Sequence, residues 1–266
     1  MTPPSHDAVM QGMKKLEEII KDEHEKSGLV RKGRDEILAK LRAPLAKIVG
    51  DNKDLVQKRI NEVKNRPKPA KSTPIKIVPQ SNPEVFSLLR TAPYDFQWTS
   101  TGGDAQTNAS ANEKNGTISV GVGAENENGY ASAGVGVLVS PPSDMSLYFR
   151  PLLLYNYSWL DLADFVNAHS SAFFGIYIQQ FDSTGKNVDN TDLRYPLWND
   201  DAGWLDEHSG NGNNTTVNAT PTISVSSGYN YIFWTWFSVS CWNGFGTFSD
   251  GSIEAQVNTM SFFSVG

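Results

Sequence analysis

The chain has 266 residues, a formal net charge of −6, 20% charged residues, 39% hydrophobic residues and a mean hydropathy of −0.39. This composition excludes a bundle of membrane-spanning helices and an intrinsically disordered chain, and it predicts a folded, soluble protein. No secretory signal is visible at the start, so we expect a cytoplasmic protein or one released by a non-classical route. The single cysteine, Cys241, excludes an internal disulfide.

The charge and the aromatic residues divide the chain near residue 70. Residues 1–71 contain 17 Lys or Arg and 11 Asp or Glu, whereas residues 72–266 contain 6 and 18. All 29 aromatic residues lie at or after Phe86. We therefore expect two modules of different construction.

Residues 1–66 have a helical pattern, with apolar residues at alternating steps of three and four. The stripes predict about three helices, near 5–26, 31–49 and 52–65, separated by glycines at the junctions. Because each stripe is short and without aromatic residues, the segment needs another surface to bury it. We expect it to serve oligomerisation or docking, with a homo-oligomer as the predicted assembly.

Residues 67–84 are a predicted Pro-rich linker, and residues 85–266 change to a period of two. Runs rich in Val, Ile, Thr and aromatic residues alternate with Gly, Asn, Asp and Ser clusters, which is typical of antiparallel strands. The run 231–242 is apolar on both faces and predicts a central strand buried on both sides. The fold class is α+β by segregation: a helical segment, then an all-β antiparallel sandwich or jelly-roll-like domain of about eight strands.

Residues 117–139 have the pattern of a β-hairpin with Asn128-Gly129 at its tip. One face of this predicted hairpin is aliphatic and is formed by Ile118, Val120, Val122, Val135, Val137 and Val139. The favoured interpretation is that this face enters the core. The alternative is that the uncharged hairpin detaches and inserts into a membrane, as in a pore-forming toxin.

The polar segment 187–222 is predicted to be a loop that combines tryptophans with carboxylates and amides. Indole rings stack on the apolar faces of sugars, while Asp and Asn accept hydrogen bonds from hydroxyl groups. The alternative is that the tryptophans anchor the loop and the acids form a solvated rim. The candidate ligand-binding residues are Trp198, Asn199, Asp200, Asp201, Trp204 and Asp206.

Enzyme and metal motifs are missing from the sequence, so we expect no catalytic residue, no cofactor and no metal site. The basic segment mixes its cations with acids, and we expect no nucleic-acid partner. The leading hypothesis is a non-enzymatic, lectin-like recognition protein that binds a glycan or another cell-surface ligand. Two alternatives remain open: the membrane-active toxin and a self-assembling structural or fibre-type subunit.

Overall fold

The computed structural model describes most of the chain outside the predicted linker. The described residues are 2–50, 57, 58, 60–62, 65 and 86–265 except 165, 204, 217, 218 and 245, with side chains described except at 43–50, 214 and 265. The predicted linker, 67–84, lies outside these residues. The segment boundaries at 66 and 84 therefore stay predictions.

The described residues form one long helix, a short helical piece and twelve strands. Helix α1 is His6–Gly50, and residues 57, 58 and 60–62 are also helical. The strands are β1 Ser87–Arg90, β2 Phe96–Gly103, β3 Gln106–Asn112, β4 Thr117–Glu125, β5 Asn128–Val139, β6 Met145–Ala163, β7 Ala168–Phe181, β8 Asn187–Ala202, β9 Asp206–Thr216, β10 Thr222–Val225, β11 Asn230–Asn243 and β12 Thr247–Val265.

The strands form two antiparallel sheets. The large sheet has seven strands in the order β10-β6-β12-β4-β3, with β9 on β6 and β1 on β12. The small sheet has five strands in the order β2-β5-β11-β7-β8. The protein is therefore mostly β, as the period-two pattern predicts, but with more strands than the eight expected.

The inner faces of the two sheets share one apolar core, because alternate residues of every long strand point toward the other sheet. Strand β11 lies in the middle of the small sheet and is buried along its whole length, which confirms the expected central strand. Core residues from both sheets include Val120, Val135, Phe149, Phe174, Phe233, Phe237 and Phe262.

The first half of α1 covers the outer face of the small sheet. Its stripe of Val9, Met13, Leu16 and Ile20 is 0–4% exposed and packs on an aromatic surface. That surface consists of Phe96, Trp98, Tyr130, Tyr177, Phe181, Ile232, Trp234 and Trp236. The helical segment is therefore docked on its own chain.

The expectation of about three helices is wrong, because the described part of the chain contains two. The predicted break at Gly28 and Gly33 does not occur: α1 continues through both glycines. A glycine inside a helix costs about 1 kcal/mol, which contacts on either side can offset. Here Trp242 Nε1 donates to the carbonyl oxygen of His24 (3.1 Å), and Arg31 pairs with Asp201 (2.8 Å), so both flanks of Gly28 are held.

The hairpin predicted at 117–139 is also wrong. Strand β4 pairs with β3 and β12 of the large sheet, whereas β5 pairs with β2 and β11 of the small sheet. The connection between them crosses from one sheet to the other, with Asn126 in the left-handed region at φ 58°. The favoured interpretation of the aliphatic face is confirmed, because all six residues are in the core and 0–2% exposed. The membrane-inserting alternative loses the hairpin on which it depends.

Candidate functional site

The sequence predicts a loop at 187–222, and this prediction is wrong. The segment contains the long strands β8 and β9 and the first residue of β10. Strand β8 is an edge of the small sheet, and β9 pairs with the outer side of β6 in the large sheet. His208 of β9 lies 2.9 Å from a carboxylate oxygen of Asp200 on β8, so the two strands face each other at one open edge.

The candidate ligand residues do not lie together. Trp198 is 8% exposed, stacks on Tyr157 with ring centroids 5.6 Å apart, and donates from Nε1 to Ser170 Oγ (3.1 Å). It is a core residue rather than an exposed stacking platform. Trp204 lies outside the described residues.

The remaining candidates divide between the two faces of β8. Asp200 is opposite Ser170 and points between the sheets, with Asp206 nearby on β9. Asn199 and Asp201 alternate with Asp200, so they lie on the outer face of the small sheet. There, Asp201 lies 2.8 Å from Arg31, 3.3 Å from Arg34 and 3.4 Å from His169 Nδ1. Burial alone would raise the pKa of Asp201, but His169 and Arg31 lower it. The Asp201 carboxylate holds α1 on the sheet through its ion pairs with Arg31 and Arg34.

Two aromatic residues of β6 form the apolar part of the edge between β8 and β9. Tyr157 and Trp159 are partly exposed and are opposite Gly212 and Gly210 of β9. A Cβ at Gly210 would lie 2.6 Å from Trp159 Nε1, and a Cβ at Gly212 would lie 2.2 Å from the Tyr157 ring. The rings therefore lie flat across the two glycines, which leaves aromatic surface at the open edge.

Charged side chains continue this edge beyond the rings. His208 Nδ1 lies 2.9 Å from Asp200, and His208 Nε2 lies 2.9 Å from Asp206. Burial alone would lower the pKa of His208, but the hydrogen bond and charge of Asp200, together with Asp206, raise it. The imidazole is thus held between two carboxylates. We call Tyr157, Trp159, Asp200, Asp206 and His208 the edge site.

Behind the edge site lies a buried acid. Asp161 is fully buried and accepts hydrogen bonds from Ser249 Oγ (2.5 Å), Ser170 Oγ (2.7 Å) and Ser170 N (3.1 Å). Burial raises its pKa to about 7, and the neighbouring charge of Asp200 acts in the same direction. In mildly acidic solution the Asp161 carboxyl group is therefore protonated, and it places no second negative charge beside Asp200.

The candidate ligand residues taken from the sequence do not include Tyr157, Trp159 or His208. The period-two run of aromatic residues in Tyr-Asn-Tyr-Ser-Trp, together with the alternating glycines of β9, is the signal that could have found the rings. The pairing of β9 with β6, which places them together, is not visible locally.

The described residues contain no group of three or more His, Cys, Asp or Glu side chains arranged to hold a metal ion. Among the helices that the structure describes, none has the length and apolar character needed to cross a bilayer.

Comparison with known proteins gives no family for this chain. No family model and no curated protein matches it. The enzymatically active domain of tailspike protein 4 from bacteriophage CBA120 is 11% identical with a TM-score of 0.21, over 61% of this chain and 19% of that one. TmCBM61 in complex with β-1,4-galactotriose is 12% identical with a TM-score of 0.15, over 62% and 83%.

The C-terminal family 22 carbohydrate-binding module of Clostridium thermocellum Xyn10B is 14% identical with a TM-score of 0.19, over 63% of this chain and 95% of that one. TM-scores this low carry no functional argument, and the function has to be inferred from the edge site itself. Aromatic surface beside carboxylates and an imidazole can bind a molecule with apolar faces and several hydroxyl groups.

Proposed function

We propose that the protein is a glycan-binding protein and that the edge site is where the glycan binds. The observation that carries the proposal is the partly exposed Trp159 ring, which lies flat on Gly210 at the open edge between β8 and β9. An indole in this position offers a flat apolar surface to the C–H face of a sugar ring.

The charged end of the edge site supplies the polar half of the recognition. Asp200 and Asp206 accept hydrogen bonds from sugar hydroxyls, and His208 keeps the carboxylates apart in fixed positions. The carboxylates of Asp200 and Asp206 favour neutral sugars over uronic or sialic acids, because an acidic sugar would add a like charge beside them.

We propose a binding role without catalysis. Asp161, the acid whose raised pKa would suit proton transfer, is fully buried and cannot touch a bound substrate. The proposed domain type is a jelly-roll-like β-sandwich, supported by the two antiparallel sheets with a shared core. A homo-oligomer and a self-assembling structural role remain predictions from the sequence.

The experiment is a screen of the full-length protein against neutral and acidic oligosaccharides, followed by titration with a neutral ligand from the screen. Replacing Trp159 with alanine removes the stacking surface, and we expect the affinity to fall about tenfold or more. Isothermal calorimetry measures the dissociation constant for both proteins.

Tyr148→Ala is the matched control, because Tyr148 is also a partly exposed aromatic residue of β6 but lies at the other end of the strand, beside β10. This variant should bind as the parent does. The proposal fails if no neutral oligosaccharide binds, or if Trp159→Ala binds as tightly as Tyr148→Ala.

A further inference from the structure

Between residues 29 and 41, helix α1 turns four large apolar side chains away from the protein. Leu29, Val30, Ile37 and Leu41 are 61–75% exposed, and the steps of seven and four between the last three place them on one side of the helix. We call these four residues the outward stripe. A helix docked only on its own chain would point such residues inward, so this arrangement indicates a further partner.

Contacts with the small sheet fix the rotation of this part of the helix. Arg31 pairs with Asp201 at 2.8 Å, and its guanidinium lies 5.4 Å from the centre of the Trp242 ring. Arg34 reaches the same carboxylate at 3.3 Å. Because these polar contacts occupy the inner side of the helix, the outward stripe is held toward solvent.

The positive charge of the same segment favours an anionic partner over a second copy of the chain. Residues 27–42 contain five Lys or Arg, of which Arg31 and Arg34 pair with Asp201, and two Asp or Glu, whereas residues 6–26 contain four and six. A second copy of the chain would have to offer its own outward stripe, because the other large exposed apolar residues of the described chain are scattered: Ile19, Val188 and Leu205. Pairing two outward stripes would bring two basic segments together, which charge repulsion opposes.

We infer that residues 27–42 of α1 dock on an anionic lipid surface. An amphipathic helix of this kind lies in the plane of the interface, with its apolar side among the upper acyl chains and its cations at the headgroups. Sixteen helical residues span about 24 Å, enough for a shallow contact. Lys32 and Lys40 are the exposed lysines of this segment.

The test is co-sedimentation of the full-length protein with phosphatidylserine–phosphatidylcholine vesicles and with phosphatidylcholine vesicles. We expect binding to the anionic vesicles, weakened by salt. The double variant Ile37→Gln and Leu41→Gln should lower the partition coefficient about tenfold or more, because two apolar side chains no longer enter the lipid. Both positions are exposed, so circular dichroism should show the parental fold.

Val188→Gln is the matched control, since Val188 is an exposed apolar residue on β8 and is not part of the outward stripe. It should bind vesicles as the parent does. The inference is overturned if the parent stays in the supernatant with anionic vesicles or if the double variant sediments equally well. It is also overturned if light scattering without vesicles shows a dimer that the double variant abolishes, because the stripe would then pair with a second copy.

Discussion

Single residues decide how the edge site is formed, and Gly210 is the clearest case. Its missing side chain is what allows the Trp159 indole to lie across β9, since a Cβ there would meet three ring atoms at 2.6–2.9 Å. A rigid ring cannot move aside without leaving its place at the edge. The position of the Trp159 ring therefore depends on the absence of a side chain at Gly210.

Replacing Gly210 with alanine should displace the Trp159 ring. We expect a loss of about 1–3 kcal/mol in the free energy of unfolding, as for other overpacked sites, and weaker glycan binding than in the parent. Chemical denaturation followed by circular dichroism measures the first, and calorimetry with the ligand from the screen measures the second.

Gly121→Ala is the control for the Gly210 variant, because Gly121 is also a strand glycine but its Cβ would meet its nearest atoms at 3.6 Å, an ordinary contact. This variant should keep the parental stability within about 0.5 kcal/mol. Equal stability of the two alanine variants would mean that the ring does not rest on Gly210 in solution.

The sequence could predict part of the site at this scale. The sequence predicts Asp200 and Asp206 correctly as neighbours in one site, because carboxylates near tryptophans are visible in a short window. Trp198 was assigned to the ligand for the same reason, yet it is buried against Tyr157, because composition does not show which side of a strand faces the other sheet.

At the scale of elements, the first half of α1 is part of the folded unit. Leu16 is fully buried among the rings of the small sheet, and Trp98 Nε1 donates to Glu17 at 2.7 Å beside it. We expect Leu16→Ala to lower the free energy of unfolding by about 2–5 kcal/mol, through lost burial and the cavity left behind. The shift of the denaturation midpoint measures it.

Ile19→Ala tests whether the effect depends on docking, because Ile19 lies on the same helix but is 42% exposed. It should change stability by no more than about 0.5 kcal/mol. If Leu16→Ala is as stable as Ile19→Ala, the helix is not packed on the sheet in solution.

The alternating pattern of β4 and β5 predicts their burial correctly but their pairing wrongly. Val122 and Val135 alternate with small residues, and this pattern places both in the core whether β4 and β5 pair with each other or face each other across the two sheets. The period of two identifies the buried side but not the neighbouring strand. The long-range partners of Asn126, the Gly246 and Thr247 amides, are what define the crossing.

On the scale of the whole molecule, Asp161 connects the two sheets at the end that carries the edge site. Ser249 belongs to the large sheet and Ser170 to the small sheet, and both donate to its carboxyl group. Asp200 and His208 are the other titratable groups at this junction, and the Cys241 thiol, whose pKa burial raises, lies on the core side. The packing of the two sheets against each other at this end therefore depends on the charge of Asp161.

Stability should fall with rising pH because of this residue. Its pKa is 3.8 in the unfolded chain and about 7 in the folded protein, so the folded state binds the proton more tightly. That contribution is complete below pH 4 and is lost as the pH rises through 7. Asp161→Asn keeps a neutral side chain at all pH values. Between pH 5 and pH 8, the free energy of unfolding of this variant should therefore fall by about 1–4 kcal/mol less than that of the parent.

Denaturation midpoints at pH 5 and pH 8 for parent and variant measure this difference. Comparing the two proteins removes the contributions of His24, whose pKa burial lowers to about 4, and of His208, whose pKa is raised by its carboxylate neighbours. Asp189→Asn, at an exposed position of β8, should follow the parent at both pH values. Parallel loss of stability in parent and Asp161→Asn would show that Asp161 is ionised in the folded protein throughout, and that the two sheets are joined at this end without its proton.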